Sequence, residues 1–203
     1  PAGQSRSFSI PFDSEASSLP FAFGRVTEVG ADYIENSAAN WTPAQIPTSA
    51  DDLTFNLLAP YITSFNFSVT ASHTHTYKRG AVTLNMINPH AASAGIVIGD
   101  ISGDNAAVTL TTGTFTSNAI AILGDASGSI GALNVNDDDA AFVVGNGADL
   151  VIGNNGAASL SITGLALVEV ADQLIVGSNS TSVPTVTVTG SLISPPFSAS
   201  TLD

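Results

Sequence analysis

The sequence predicts an all-β protein in which residues 81–190 form a right-handed parallel β-solenoid of three to four coils. Two observations lead to this prediction. An apolar triplet followed by glycine recurs along the chain, and a second apolar run follows each of these glycines at a similar distance. Because one such unit cannot bury its apolar side chains alone, the units must stack and share a continuous core.

The first register consists of the triplet and its glycine. Each glycine follows three apolar residues, precedes a small polar residue, and is spaced from the next by 25, 29 and 24 residues in turn. The four glycines are Gly99, Gly124, Gly153 and Gly177. The residues that follow them, such as Asn-Asn-Gly at 154–156, are turn formers. This pattern is typical of a short buried strand that ends in a tight turn.

The second register is a run in which apolar residues alternate with Thr, Asn or Ser. These runs occupy residues 108–110, 133–135, 160–162 and 186–188. Alternation with a period of two indicates a strand with one buried and one solvated face. A β-sandwich is the alternative fold, because its short strands are also spaced by about 8–12 residues. The recurring glycine register favours the solenoid.

The two ends of the chain depart from the repeat. Residues 1–80 contain seven of the ten phenylalanines, which predicts an N-terminal arm and an aromatic-rich β cap, since terminal repeats must close the stack. Residues 191–203 are predicted to form a C-terminal tail or arm, because the consecutive Pro195 and Pro196 cannot both join a strand ladder.

The charge balance excludes several classes of partner. The chain has 17 acidic and 4 basic residues, a net charge of −13, and neither Lys nor Arg in residues 81–203. Binding to phosphates requires cations, so we expect no nucleic acid and no anionic membrane surface as partners. The chain has no stretch of about 18 apolar residues, so we also expect no membrane insertion.

The low charge content suggests where the protein acts. Only 10% of residues are charged, against a typical value of about 25%, so Ser, Thr, Asn and Gly must cover the surface. Such a surface suits a secreted or cell-surface protein. The Pro-Ala-Gly start suggests an N-terminus processed after removal of a signal peptide. The absence of cysteine excludes disulfides and thiolate metal sites.

Two parts of the chain resemble a known family. Residues 40–47 and 51–55 contain Asn-Trp, a later Pro, and then Asp-x-x-x-Phe, while residues 144–147 read Val-Gly-Asn-Gly and residues 151–163 contain Gly-Asn-Asn-Gly-x-x-x-Leu-x-Ile. Together these segments resemble bacterial secreted and surface proteins with autotransporter-type or PEP-CTERM-type β-strand repeats. The resemblance implies a β-solenoid with a structural or adhesive role and without catalytic residues.

The solenoid region is not expected to be an enzyme. A polysaccharide lyase would need a basic residue as its base and cations to neutralise an acidic sugar, and residues 81–203 have neither Lys nor Arg. An inverting hydrolase needs paired carboxylates, and Asp100 and Asp125 are candidates for such a pair on successive coils. Both lie at turn positions, where solubility or cation bridging explains them better.

Two clusters contain residue types that commonly bind metal ions. Asp137, Asp138 and Asp139 lie where the repeat is longest, and their oxygens could hold Ca²⁺; the alternative is a solvated turn. The motif His73-Thr-His75-Thr-Tyr77 places three side chains on one face if it is a strand. Without a third nitrogen ligand this motif is explained equally well by an exposed polar ladder.

Short apolar strands next to proline flank the predicted solenoid and suggest self-assembly. The candidate assembly residues are Phe8, Ile10, Phe12, Leu192, Ile193 and Phe197. Unpaired edges at the ends of a stack can bind another chain, so a terminus either caps its own solenoid or adds a strand to the next subunit. We therefore expect copies of the protein itself as partners, in a structural subunit of a filament, sheath or surface layer.

Glycans provide the alternative function. Asn40, Asn66 and Asn179 begin Asn-x-Ser/Thr sequons, which are candidate glycosylation sites in a secreted protein. The polar, weakly charged surface also suits a glycan-binding or adhesive cell-surface module. No cofactor is expected apart from Ca²⁺.

Overall fold

A computed structural model of the protein describes residues 6–9, 32–34, 41, 47–65, 71–194 and 198–199. The described part of the chain is all-β and contains no helix. In chain order its strands are β1 (Arg6–Ser9), β2 (Asp32–Ile34), β3 (Asp51–Phe55), β4 (Tyr61–Phe65), β5 (Ala71–Ser72), β6 (His75–Tyr77), β7 (Arg79–Met86), β8 (His90–Ala92), β9 (Ile96–Ile98), β10 (Asn105–Ser117), β11 (Ala121–Leu123), β12 (Ile130–Asn136), β13 (Ala140–Val144), β14 (Leu150–Ile152), β15 (Ala157–Thr163), β16 (Leu167–Val170), β17 (Leu174–Val176), β18 (Val183–Val188), β19 (Ser191–Ile193) and β20 (Ser198–Ala199).

The strands form three faces around one core. Face A is an eight-stranded sheet in the order β1-β3-β6-β9-β11-β14-β17-β20. A twelve-stranded sheet supplies the other two faces, because the long strand β10 belongs to both. Face B contains β2, β4, β7, β12, β15 and β18 with the first part of β10; face C contains β5, β8, β13, β16 and β19 with the last part of β10.

Every strand pairing among the described residues is parallel, so the fold is a β-solenoid. This excludes the β-sandwich, whose hairpins require antiparallel pairs. The stack has about five turns rather than three to four. The difference arises because β3, β4 and β6, within the segment predicted as the cap, pair in the same sheets as the repeats.

The strand register confirms both sequence repeats. On face A, the triplets align as Ile96, Ala121, Leu150 and Leu174. On face B, the alternating runs align as Val108, Leu133, Leu160 and Val186. We call such a set of equivalent residues on successive turns an inward column when its side chains point into the core. The aligned columns produce one continuous core along the solenoid.

The repeated glycines are required by the backbone at the end of face A. Gly99, Gly124, Gly153 and Gly177 all have positive φ, between 66° and 76°. Residues with a Cβ rarely adopt this left-handed conformation, and glycine adopts it without strain. The predicted turn after each apolar triplet therefore has a conformational cause.

Small residues recur in one inward column of face B. The column contains Gly80, Ala106, Gly131, Ala158 and Pro184. A Cβ added to Gly131 would lie 2.0 Å from the carbonyl oxygen of Ile98 on face A. Faces A and B therefore approach each other closely here, and the corner leaves little room for side chains.

Candidate functional site

The C-terminal end of the solenoid is the candidate functional site. Among the described residues, strands β18 and β19 are the last strands of faces B and C, and no described strand pairs with their outer edges. Val188 continues the inward column of Ile162, but its side chain is 41% exposed whereas Ile162 is 0% exposed. Val186 and Leu192 are likewise only half-buried while they pack against the core. The core is therefore open on this side.

Pro184 lies on the outer edge of the same end. The amide of Thr189 donates to the carbonyl of Ile162 on β15, so odd-numbered residues of β18 direct their N–H groups inward along the sheet. Even-numbered residues then direct theirs toward the free edge. Pro184 has no N–H and therefore removes a donor from this edge without breaking the ladder to β15. Pro184 was not among the residues predicted from the sequence, although a proline inside a strand indicates an edge strand.

Strand β20 extends face A beyond β17. In β20, Ser198 pairs with Ile175 and Ala199 pairs with Val176. At the other end of this face, β1 pairs with β3 and places Phe8 opposite Leu53. Both terminal strands thus pair with their own chain in the monomer. Faces B and C have no such strand after β18 and β19 in the described part of the chain.

The candidate assembly residues occupy different environments. Leu192 points inward from β19, in register with the buried Val168. Ile193 points outward next to Glu169 and is 55% exposed. Phe8 lies in β1, while Ile10, Phe12 and Phe197 lie outside the described residues.

The three aspartates form the turn between β12 and β13. Asp137 adopts a positive φ of 119°, and its side chain accepts a hydrogen bond from the amide of Asp138. The Asp138 carboxylate accepts a bond from the amide of Leu165 on the next turn, and the Asp139 carbonyl accepts one from Gly113 on the previous turn. The loop at residues 137–139 thus links three successive turns of the solenoid. Calcium binding here stays a prediction.

The histidine motif is not an exposed polar ladder. His75 and Tyr77 point inward from β6 and are fully buried, whereas His73 precedes the strand and contacts Asp52 on the outside, with 2.7 Å between Nδ1 and Oδ1. Within the described parts of the chain, no group of three or more His, Cys, Asp or Glu side chains could hold a metal ion. The expectation that all three motif residues share one solvated face was therefore wrong.

A second buried histidine completes an interior polar cluster. His90 Nε2 on β8 lies 3.1 Å from His75 Nε2, and the Tyr77 hydroxyl lies 3.0 Å from His75 Nδ1. The rings of Phe65 and Phe115 lie 4.5 Å from His90 and 5.0 Å from His75, respectively. Burial, and secondly the neighbouring His90, holds the pKa of His75 well below its usual value of 6.5. His90 was not predicted from the sequence, because it belongs to no local motif.

The outer surface of face B carries an uncharged polar ladder, which we define by one outward-facing residue on each of five successive turns. These residues are Thr83, Thr109, Asn134, Ser161 and Thr187. Two of these side chains on neighbouring turns bond to each other, since Asn134 Nδ2 donates to Thr109 Oγ1 at 3.4 Å. The ladder offers hydroxyl and amide groups at regular intervals.

One of the three sequons lies in the described region. Asn179 is exposed in the loop before β18, where its Nδ2 donates to Asn155 Oδ1 at 2.8 Å and its Oδ1 accepts from the amide of Ser180. Asn40 and Asn66 lie outside the described residues. Glycosylation at all three positions stays a prediction.

No helix that could span a membrane occurs in the parts of the chain that the structure describes. Comparison with protein-family models, with curated proteins and with solved structures found no match for this chain. The resemblance to autotransporter-type and PEP-CTERM-type repeats therefore stays a prediction.

Proposed function

We propose that this protein is a non-catalytic structural subunit of an extracellular assembly and that its subunits associate end to end through β18 and β19. The main support is the partly exposed core at this end, where Val186, Val188 and Leu192 continue columns that are buried in earlier turns. Exposed apolar side chains next to unpaired strand edges favour association with another chain.

A second copy of the chain is the partner whose geometry matches this end best. Each turn already pairs with the next in a parallel ladder, so the outer edges of β18 and β19 can accept strands in the same orientation. The N-terminal strands of another copy can provide such a turn. An interface between opposite ends does not close on itself, so its repetition produces a filament.

The composition of the terminal strands also favours contact between copies. Neither β18, with sequence Val-Pro-Thr-Val-Thr-Val, nor β19, with sequence Ser-Leu-Ile, carries a charge, although the chain has a net charge of −13. Pro184 weakens the edge as a general template for strands, because it removes one outward donor. Association then depends on apolar contacts that require a partner of matching shape.

A pair of variants on β18 tests this proposal. Val188→Asp places a carboxylate on the partly exposed inward column, whereas Thr187→Asp places the same carboxylate on the outer surface of the same strand. We expect the wild type and Thr187→Asp to form large species with rising concentration in sedimentation velocity, and Val188→Asp to remain monomeric. Equal association of the two variants, or a wild type that is monomeric throughout, would overturn the proposal.

A glycan-binding or adhesive role is the second candidate, and the uncharged ladder on face B favours it. Regular hydroxyl and amide groups can bond to the hydroxyls of a neutral polysaccharide chain. Asn134→Glu on the ladder should reduce co-sedimentation with an insoluble neutral polysaccharide such as cellulose, and Thr116→Glu on the outside of face C should not. If the wild type stays in the supernatant with such polymers, this role is excluded for them.

A further inference from the structure

The two buried histidines replace apolar residues in one turn of the solenoid. His75 occupies an inward column of face A, and His90 occupies an inward column of face C. The other described side chains of these columns are Leu53, Ile96, Ala121, Leu150 and Leu174 on face A, and Phe115, Phe142, Val168 and Leu192 on face C. A pair of titratable groups is therefore placed where neighbouring turns use hydrocarbon.

The short contact between the rings limits the number of protons that they can carry. With 3.1 Å between the two Nε2 atoms, one must donate a hydrogen and the other must accept it. A proton added to the accepting nitrogen directs two N–H groups at each other, whereas a proton added to the other nitrogen of the donating ring keeps the N–H···N bond. Either proton places a positive charge inside the core. The pair is thus satisfied when neutral, holds a poorly solvated charge when it gains one proton, and has two opposed N–H groups when it gains two.

The described groups that contact the pair are mainly aromatic. Rings of Phe55, Phe65 and Phe115 lie within 6 Å of one or both histidines. The Tyr77 hydroxyl already contacts His75 Nδ1. The buried carboxylate of Asp51, earlier on face A, accepts hydrogen bonds from the amide and the hydroxyl of Thr48. The Asp52 carboxylate contacts His73 on the outer surface.

We propose that the His75–His90 pair is an acid-sensitive joint, at which protonation opens β6, β7 and β8 together with the turns that precede them. A solenoid is held together by contacts between neighbouring turns, so a local penalty opens one region while distant turns stay stacked. Strands β12 to β17 therefore remain folded. In acidic surroundings the N-terminal part releases its strand edges, whereas at neutral pH the stack is closed.

The direction of the pH effect follows from proton linkage. The pKa of His75 is lower in the folded chain than in the unfolded chain, so the open state binds more protons. This region has its full stability above about pH 6.5, which is the pKa of histidine in the unfolded chain, and its stability declines as the pH falls below that value. Below this pH, each decrease of one pH unit lowers the hydrogen-exchange protection of these amides by up to about tenfold for each histidine that remains neutral in the folded chain.

Hydrogen exchange at about pH 7.5 and about pH 5, corrected for the intrinsic rate, tests the joint. In the wild type we expect amides in β6, β7 and β8 to lose at least about tenfold protection at the lower pH, while β12 and β15 keep theirs. The double variant His75→Leu/His90→Phe installs the side chains found at Leu53 and Phe115 in the same columns, and it should abolish the loss. The surface variant His73→Gln should retain it.

Three outcomes would overturn the proposal. They are a wild type with unchanged protection at both pH values, a loss spread evenly over all turns, and an acid-induced loss that persists in the double variant. Should the double variant not fold, imidazole resonances of the wild type provide the readout. As the pH falls, His75 should become protonated over the same range in which the amides of β6 lose hydrogen-exchange protection. Protonation of His75 while these amides stay fully protected would contradict the proposal.

Discussion

Val188 lies one turn beyond Ile162 in the same inward column of face B, yet Val188 is 41% exposed and Ile162 is completely buried. The two side chains are both β-branched hydrocarbons, so the difference results from the absence of a following strand in the described chain. This gradient from a closed interior to an open end is the structural basis for the proposed end-to-end association.

Pro184 should limit this association. Replacing it by alanine restores an outward N–H at the free edge and leaves the ladder to β15 unchanged, so Pro184→Ala should polymerise at a lower concentration than the wild type. The stability of the monomer should fall by no more than about 1 kcal/mol, the usual effect of losing proline's restriction of the unfolded chain. Light scattering over a concentration series measures the first effect, and urea unfolding measures the second.

The cost of shortening a core side chain should depend on its position along the stack. Phe142 is 1% exposed and has Phe115 in edge-on contact, so Phe142→Ala should lower the free energy of unfolding by about 3–5 kcal/mol. Leu192, in the same column at the open end, is only half-buried. Leu192→Ala should therefore cost less than about 2 kcal/mol in urea unfolding. Equal costs would mean that the end is not open in solution.

The close approach of faces A and B can be tested at Gly131. A Cβ at this position would lie 2.0 Å from Ile98 O and 2.6 Å from Gly124 N, both of which are backbone atoms. Gly131→Ala should destabilise the fold by about 1–3 kcal/mol, as overpacked cores do. Gly145→Ala is the matched control, because its nearest neighbour would be a side-chain atom at 3.5 Å. If both variants unfold at the same urea concentration, the packing at this corner is described wrongly.

Salt should promote association. Subunits with a net charge of −13 repel each other, and raising the ionic strength from about 0.01 M to about 0.15 M shortens the screening length from about 30 Å to about 8 Å. We expect more polymer at the higher NaCl concentration in light scattering. A comparison of Ca²⁺ with NaCl at matched ionic strength separates charge screening from ion binding. If Ca²⁺ produces more polymer than NaCl, and Asp138→Asn removes this difference, a calcium site at residues 137–139 is indicated. Indifference to both salts would contradict this mechanism.

The sequence predicts those parts of the fold that repeat. The spacing from Gly99 to Val108 recurs from Gly124 to Leu133, and the register pairs Val108 with Leu133 as this repeat requires. Positive φ at the glycines explains why the signal is strong. Local pattern and three-dimensional register agree because a parallel solenoid places equivalent residues directly above each other.

Other features had weaker signals. The third strand of each turn, such as Gly113–Ser117 within β10, was missed because the corner before it varies in length and blurs the period. Phe55 and Phe65, two of the aromatic residues that led to the predicted N-terminal cap, are buried in the core and lie on strands that pair with the following turns. The contact between His75 and His90 joins two faces, so no pattern within a single strand could reveal it.

The most direct test of the central proposal is cryo-electron microscopy of the native protein over a concentration series. We predict filaments in which the solenoid axis follows the filament axis and the strand spacing of about 4.8 Å continues across each junction between subunits. Single particles at every concentration, or assemblies in which the solenoids contact each other only through their sides, would contradict end-to-end association through β18 and β19.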